Sequence, residues 1–424
     1  MFRHDLFRFV SLCSIVKYRI TAPHTLSCKI ALPPSKSISN RALIIGALAR
    51  CISSIENLAI CNDTAVLAKA LQAPSHTIDI NNAGTAMRFL TAYLAATPSH
   101  ATLTGSARMM QRPIAPLVEA LQQLGATISY VGEQGYPPLH IEGSQLKGGA
   151  IAIRGDISSQ FISALLLVAP YMQQGLHLTL KGNILSRPYI DMTIALMRHY
   201  GAIVTTTERT IEVAPVHYTR RPLTIEGDYS AASYWYAIAA LNGKSYQLDN
   251  LSRNSVQGDS RVAQYFALLG VDTIYHSNGI EIIPRAAYTP PEVISLDLCN
   301  EPDLAQTLIM CCALKQQHFH ISGLHNLRIK ETDRIAALIS QAHKLGYLFT
   351  QPHEGCIAWH GEHCQIQHPI IIDTCNDHRM AMAFAPAALR WDEIWIDNPG
   401  VVEKSYPQFW NDLQQAGFTI TPQE

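Results

Sequence analysis

The stretch PLVEALQQLGATISYV, residues 116–131, carries the pattern that organises the chain. Leu117, Val118 and Leu121 return at helical spacing, Gly125 offers a left-handed stop, and residues 127–131 then alternate as a strand does. The unit recurs as MTIALMRHYGAIVTTT at 192–207, RVAQYFALLGVDTIYH at 261–276, RIAALISQAHKLGYLFT at 334–350 and FWNDLQQAGFTI at 409–420. Its stopping glycines are Gly125, Gly201, Gly270, Gly346 and Gly417. A spacing of about 70 to 75 residues is too long for a solenoid repeat and suits a small βαβαββ module. A shorter copy, DTAVLAKALQAPSHTIDI at 63–80, makes a sixth, trimmed module.

Six modules predict an α/β fold with three modules in each of two domains. RRPLTIEGDYSAASYWYAIAAL at 220–241 reads as one crossing between the trios. CKIALPPSKS at 28–37 reads as the other, because Pro33 and Pro34 stiffen an extended connection. Residues 1–33 and 227–424 then form one discontinuous domain and 34–226 the second, joined by two strands that favour a hinge.

Bulk properties bound the function. The 424 residues are 48% hydrophobic, which fits a globular chain with a sizeable core. Thirty-two basic and 33 acidic residues leave a formal charge of −1, so no global field attracts nucleic acid or an anionic membrane. The longest apolar runs, such as FISALLLVAPYM at 161–172, fall short of the ~20 residues that span a bilayer. The ten cysteines include no CxxC pair and read as reduced thiols of a cytoplasmic protein. CIAWHGEHC holds Cys356, His360, His363 and Cys364, but this spacing matches no usual zinc pattern, so a polar hairpin without metal is expected. Residues 1–20 are basic and apolar yet broken by charge, without a small-residue cleavage site. They read as an N-terminal extension or a start placed too early rather than a targeting peptide.

Cations gather where helices begin. Lys36 and Arg41 lie in PPSKSISNRAL, Arg88 in NAGTAMRFLTAYLAA, Arg112 in QRPIAPLVEAL and Arg187 in SRPYIDMTIAL. Lys330 and Arg334 flank Glu331 in RIKETDRIAAL, Arg379 opens DHRMAMAFAPAAL, and Lys404 precedes SYPQFWNDL. Each cation at a helix start costs ~0.3–1 kcal/mol relative to an acid there. Acids within these motifs are too few to compensate, so the pattern predicts a polyanionic small ligand between the domains. Arg187 fits a surface ion pair equally well. Ser158, Ser159 and Gln160 open an apolar helix with two hydroxyls and an amide, suited to a sugar hydroxyl or a phosphate, where N-capping needs only one of them. Asp303 in NEPDLAQTL is a candidate general base facing cations, with a plain N-cap as the alternative.

Taken together, LPPSKSISNRAL, NAGTAMR, RIKETDR and NDHRMA, in that order, resemble the signatures of the 5-enolpyruvylshikimate-3-phosphate synthase family from about residue 28 to the C-terminus. The resemblance implies two inside-out α/β-barrel domains, each of three βαβαββ repeats. It implies transfer of the enolpyruvyl group of phosphoenolpyruvate to the 5-hydroxyl of shikimate 3-phosphate, in the shikimate pathway of aromatic amino acid biosynthesis. It implies a monomer and neither metal nor organic cofactor. Lys36, Ser37, Arg41, Ser158, Ser159, Gln160, Ser186, Asp303, Asn326 and Lys330 would bind shikimate 3-phosphate. Lys36, Gly84, Arg112, Gln160, Arg334, Arg379 and Lys404 would bind phosphoenolpyruvate. Asp303 would take the hydroxyl proton and Glu331 handle the methylene proton, with Lys36 as a third catalytic group. Phe89 departs from the proline many members carry, and the module after CNDT is short. The sister transferase acting on UDP-N-acetylglucosamine normally has a reactive cysteine in the loop that reads GSARMMQRP here, with none. A non-catalytic phosphosugar-binding protein is a further reading, against which the pair Asp303 and Glu331 stands.

Overall fold

The computed structural model describes residues 16–22, 29–72 and 75–423. The repeat is realised strand by strand. Gly149–Arg154 runs parallel to Leu176–Lys181, which pairs antiparallel with Thr210–Val213, itself antiparallel to Val204–Thr206. The helices Ser159–Val168 and Arg187–His199 make the two connections, giving βαβαββ. The strand order is the same in the sheet built from Thr77–Asp79, Ser99–Thr104, Leu139–Gly143 and Thr127–Tyr130, and in that built from Lys29–Ala31, Tyr246–Asp249, Gly279–Pro284 and Val271–His276.

All five repeat glycines hold positive φ: +103° at Gly125, +87° at Gly201, +81° at Gly270, +90° at Gly346 and +101° at Gly417. A Cβ is strained in that region, so glycine is the residue that lets each helix end and the chain turn at once.

Three modules depart from the pattern. After Gly346 the expected strand shrinks to isolated bridges, Tyr347 with His363 and Thr350 with Ala358. The strands Ile371–Asp373, Ile394–Asp397 and Thr419–Gln423 take their fourth member from the other end of the chain, Lys17–Thr21, which pairs with both Ile394–Asp397 and Thr419–Gln423. Ile20 is fully buried there, so the end of the expected N-terminal extension is a core strand; the extension's residues 1–15 lie outside the described residues. The trimmed module keeps the helices Lys36–Leu48 and Asn62–Gln72 but only a two-residue parallel pair, Ile55–Glu56 with Leu223–Thr224. Its presumed closing strand, Thr77–Asp79, belongs to the next sheet.

Helices fill the centre of each half, and this explains their composition. Every residue of Ala305–Leu314 is buried, as are eight of the ten in Ser159–Val168. Such helices read as apolar all round rather than amphipathic. The buried apolar side chains form two clusters, one from Ile38 to Ile225 and one joining Ile20, Ile30 and Leu32 to Tyr229–Ile420. At ~1.5–3 kcal/mol for each large side chain buried, each cluster supplies the main favourable term for its own half. The two stretches read as crossings are bonded to each other: Ser35 N donates to Glu226 O at 2.8 Å and Asp228 N to Pro33 O at 2.9 Å.

Candidate active site

Between the two clusters lies a cavity of about 340 Å³. Fifteen of the sixteen expected site residues line it: Lys36, Ser37, Arg41, Gly84, Arg112, Ser158, Ser159, Gln160, Ser186, Asp303, Asn326, Lys330, Glu331, Arg334 and Arg379. The sixteenth, Lys404, reaches its edge through Asp63, a cavity residue.

The first cluster's half is built on helix starts. Lys36 is the first residue of its helix, whose cap is Ser35. Its Nζ donates to Asp63 Oδ2 at 3.1 Å, while Lys404 Nζ, from the other half, donates to Asp63 Oδ1 at 2.8 Å. Burial lowers the proton affinity of Lys36, but Asp63 beside it prevails and holds its pKa above the ordinary value. Arg41 lies one turn on. Its Nε donates to Thr193 Oγ1 at 2.7 Å and its Nη2 to Ser163 Oγ at 3.3 Å, with its guanidinium carbon 5.4 Å from the centroid of the Phe89 ring. Phe89, the departure from the expected proline, thus supplies an aromatic face to a site cation.

Arg112 sits against the first turn of Gly84–Ala96. A Cβ on Gly84 would fall 2.5 Å from Arg112 Nη1, so glycine is required for the guanidinium to lie there. Arg112 Nε and Nη1 are buried without a hydrogen-bond partner among the described residues. Ser158 caps its helix by accepting from Gln160 N at 3.3 Å, which leaves Ser159 and Gln160 turned to the cavity; Gln160 Nε2 donates to Thr85 Oγ1 at 3.1 Å. Ser186 holds φ +54°, and its backbone N donates across to Cys299 O at 2.9 Å.

The opposite half is dense in ion pairs. Arg334 Nε donates to Asp377 Oδ2 at 2.6 Å, its Nη2 to Glu331 Oε2 at 2.9 Å and its Nη1 to Asp303 Oδ1 at 3.3 Å. Arg379 Nη2 donates to Asp303 Oδ2 at 2.6 Å. Asp303 therefore does not cap a helix; it lies in the turn Pro302–Leu304 with its carboxylate among cations. Burial would raise its pKa, but Arg379, Lys330, Arg334 and Lys36 outweigh burial and hold it well below the carboxylate range. In Glu331 burial is likewise outweighed, by Arg334, Lys404 and Arg112, so it too is ionised. Lys330 is shifted down, first by burial.

One expectation is corrected here and one open alternative is decided. The cations do not lack acids: Asp63, Asp303 and Asp377 reach Lys36 and Arg334 from other parts of the chain, and Glu331 pairs with Arg334 within its own motif. Arg187 is outside the cavity and pairs with Asp191 at 2.8 Å on the surface. Cys356, His360, His363 and Cys364 do not converge either; His363 bonds Gly346 O and Gln316 Oε1 instead.

Sequence reasoning missed several members. Asp63 stands in CNDT, and Asp377 and His378 stand in NDHRMA, so a motif contained each without revealing its direction. Burial, then Lys36 and Arg379, pushes His378 well below the ordinary imidazole range. Its 3.4 Å approach to Asp377 is therefore that of a neutral ring rather than an ion pair. Tyr189 OH lies 3.3 Å from Asp303 Oδ2 and 3.2 Å from Asp259 Oδ1. No local pattern marks Asp259.

Comparison with known proteins shows the family. The model of the family EPSP synthase (3-phosphoshikimate 1-carboxyvinyltransferase) matches residues 20–76 and 67–413. A 3-phosphoshikimate 1-carboxyvinyltransferase of Bacteroides fragilis (strain YCH46) is 50% identical over 407 residues, covering 96% of this chain and 99% of that one. One from Shewanella sp. (strain ANA-3) is 35% identical over 416 residues, covering 90% and 95%. The solved EPSP synthase of Acinetobacter baumannii superposes with a TM-score of 0.77 at 22% identity, covering 97% of this chain and all of that one, and so shares the two-domain α/β fold. A repeat stopped at five glycines, a cation-lined cleft and near full-length matches converge on one statement: this chain belongs to the EPSP synthase (3-phosphoshikimate 1-carboxyvinyltransferase) family.

Proposed function

We propose that this protein transfers the enolpyruvyl group of phosphoenolpyruvate to the 5-hydroxyl of shikimate 3-phosphate, releasing phosphate, in the cytoplasm and as a monomer. The observation that carries the reading is one cavity holding two ionised carboxylates, Asp303 and Glu331, opposite arginines that have no carboxylate of their own. Lys36, Ser37, Arg41, Ser158, Ser159, Gln160, Ser186, Asp303, Asn326 and Lys330 hold shikimate 3-phosphate. Gly84, Arg112, Arg334, Arg379 and Lys404, with Lys36 and Gln160 reaching both ligands, hold phosphoenolpyruvate.

In the first step the 5-hydroxyl oxygen bonds to the central carbon of phosphoenolpyruvate as its carbon–carbon double bond opens, the hydroxyl proton passing to Asp303 while the methylene carbon gains a proton from Glu331, which takes that proton from solvent when the substrates bind. Glu331 is ionised among Arg334 and Lys404; a phosphate bound to those cations screens them and raises its proton affinity. In the second step the methyl group returns that proton and the carbon–oxygen bond to phosphate breaks. Cations fixed in place stabilise the departing phosphate. No step transfers an electron, and the reaction so written calls on no metal or organic cofactor. We place the domain limits at 33/34 and 226/227, where the paired crossings form a hinge; the two apolar clusters and the bonds between residues 33–35 and 226–228 support that division. Among the described residues no helix is long and apolar enough to cross a membrane.

The test is phosphate release from phosphoenolpyruvate with shikimate 3-phosphate and, separately, UDP-N-acetylglucosamine as acceptor. Release is expected with the first alone. Release with the second, or none with the first, overturns the reading.

A further inference from the structure

Away from the cleft, the sheet Val293–Asp297, His318–Ser322 and Ile357–Trp359 gathers donors that no sequence spacing announced. His320 alternates with the core residues Phe319 and Ile321, so its ring stands on the side of the strand turned from the core. Cys356 immediately precedes the partner strand. Its thiol is free and buried, and its Sγ lies 3.3 Å from His320 Nε2. His353, on the turn before it, sets its ring 5.8 Å from that of His320. One ring nitrogen of each histidine and the cysteine sulfur all lie within 4.8 Å of one another.

We propose that Cys356, His320 and His353 form a binding site for a divalent transition-metal ion of the zinc class. The donor set, one sulfur and two imidazoles, is one such ions take. With metal–sulfur and metal–nitrogen bonds of about 2.3 and 2.0–2.1 Å, a tetrahedral site separates its donors by roughly 3.3–3.6 Å. The sulfur to His320 distance of 3.3 Å is within a few tenths of an ångström of the roughly 3.5–3.6 Å that a sulfur–nitrogen pair takes there. The ion replaces the proton shared between Sγ and Nε2. His353 Nδ1 lies 3.1 Å from the carbonyl oxygen of Glu354; when it donates there, Nε2 carries the lone pair, the arrangement by which a backbone carbonyl fixes a ligating imidazole. The turn is also tied toward the cleft: Leu324 N donates to Gly355 O at 2.9 Å, directly before the segment that carries Asn326 and Lys330.

Cobalt(II) titration of the full chain tests the site, because a bound thiolate gives a charge-transfer band in the near ultraviolet and tetrahedral geometry gives intense visible bands. One equivalent with both features is expected, displaced by zinc, lost in Cys356→Ser and retained in Cys364→Ser. His353→Gln changes an exposed residue, so folding is retained, and it should weaken cobalt binding at least tenfold. Zinc should raise the melting temperature of the wild type and not of Cys356→Ser. No sulfur band in the wild type, a band that survives Cys356→Ser, or unchanged affinity in His353→Gln overturns the proposal. A cobalt spectrum lacking the sulfur band and abolished by His140→Asn would place the ion on the separate cluster His100, His140 and Glu142, and would overturn it equally.

Discussion

The two walls of the cleft neutralise their cations differently. On the wall built from residues 301–404, Arg334 and Arg379 bond three carboxylates at 2.6–3.3 Å. On the facing wall, Arg41 bonds hydroxyls and carbonyls beneath the Phe89 ring, and Arg88 bonds the carbonyls of Gly84 and Pro113 beside the Phe161 ring, its guanidinium carbon 5.8 Å from that centroid. Among the described residues neither arginine, nor Arg112, has a carboxylate within hydrogen-bond reach. The first wall carries fixed ion pairs that hold the carboxylates of Asp303 and Glu331 in place. The second keeps cations without counter-ions, and a buried cation in that condition favours whatever anion enters. Asp63 joins the two, holding Lys36 of one wall and Lys404 of the other.

The contrast can be broken most severely at the acids. Asp303→Asn removes the proposed proton acceptor with little change of shape, and turnover should fall by roughly 10²–10⁴-fold, with Glu331→Gln in the same range; steady-state kinetics that found full turnover in both would remove the catalytic half of the comparison. Next comes Arg334→Met. It strips a partner from Asp377, which is fully buried, and should destabilise the fold by about 3–5 kcal/mol in denaturant unfolding.

Arg112→Met makes the same chemical deletion on the other wall, and the sign should differ. No carboxylate is stranded, so stability should stay within about 1 kcal/mol of the wild type or rise. The loss appears in binding instead: the KM for phosphoenolpyruvate should increase roughly ten- to a hundredfold, the worth of one charge-assisted contact. Equal destabilisation by Arg334→Met and Arg112→Met would show that the walls do not differ.

Legibility from sequence followed the range of the interaction. A helix that must stop and turn makes a local demand, so Gly125 and its four counterparts were readable, and with them the module. Cations at helix starts were readable for the same reason. Asp63 was not, because its meaning depends on Lys404, 341 residues away. The strand Lys17–Thr21 read as an extension because both its partners lie at the opposite terminus. Asp303 read equally as a cap or a base, since only the approach of Arg379 and Arg334 from later segments decides its orientation.

The smallest effect concerns an acid the cation-rich wall leaves unpaired. Asp259 is buried and receives the hydroxyls of Tyr189, at 3.2 Å, and Ser230, with no cation within ion-pair distance among the described residues. Burial, and then the charge of Asp303, push its pKa up to about 7, against about 3.9 for an unfolded aspartate. Between those values the folded protein holds a proton that the unfolded chain has released. Stability contributed by neutral Asp259 is therefore lost as pH rises from about 4 through about 7. Asp259→Asn keeps the neutral shape at every pH, so the difference in unfolding free energy between variant and wild type should grow from pH 5 to pH 8, while groups common to both cancel. A difference flat across that range would mean that Asp259 is ionised throughout, and that Arg379 serves it as well as Asp303. In the Asp303→Asn background the slope should shrink, since the charge that raises Asp259 is gone; an unchanged slope would assign the whole shift to burial.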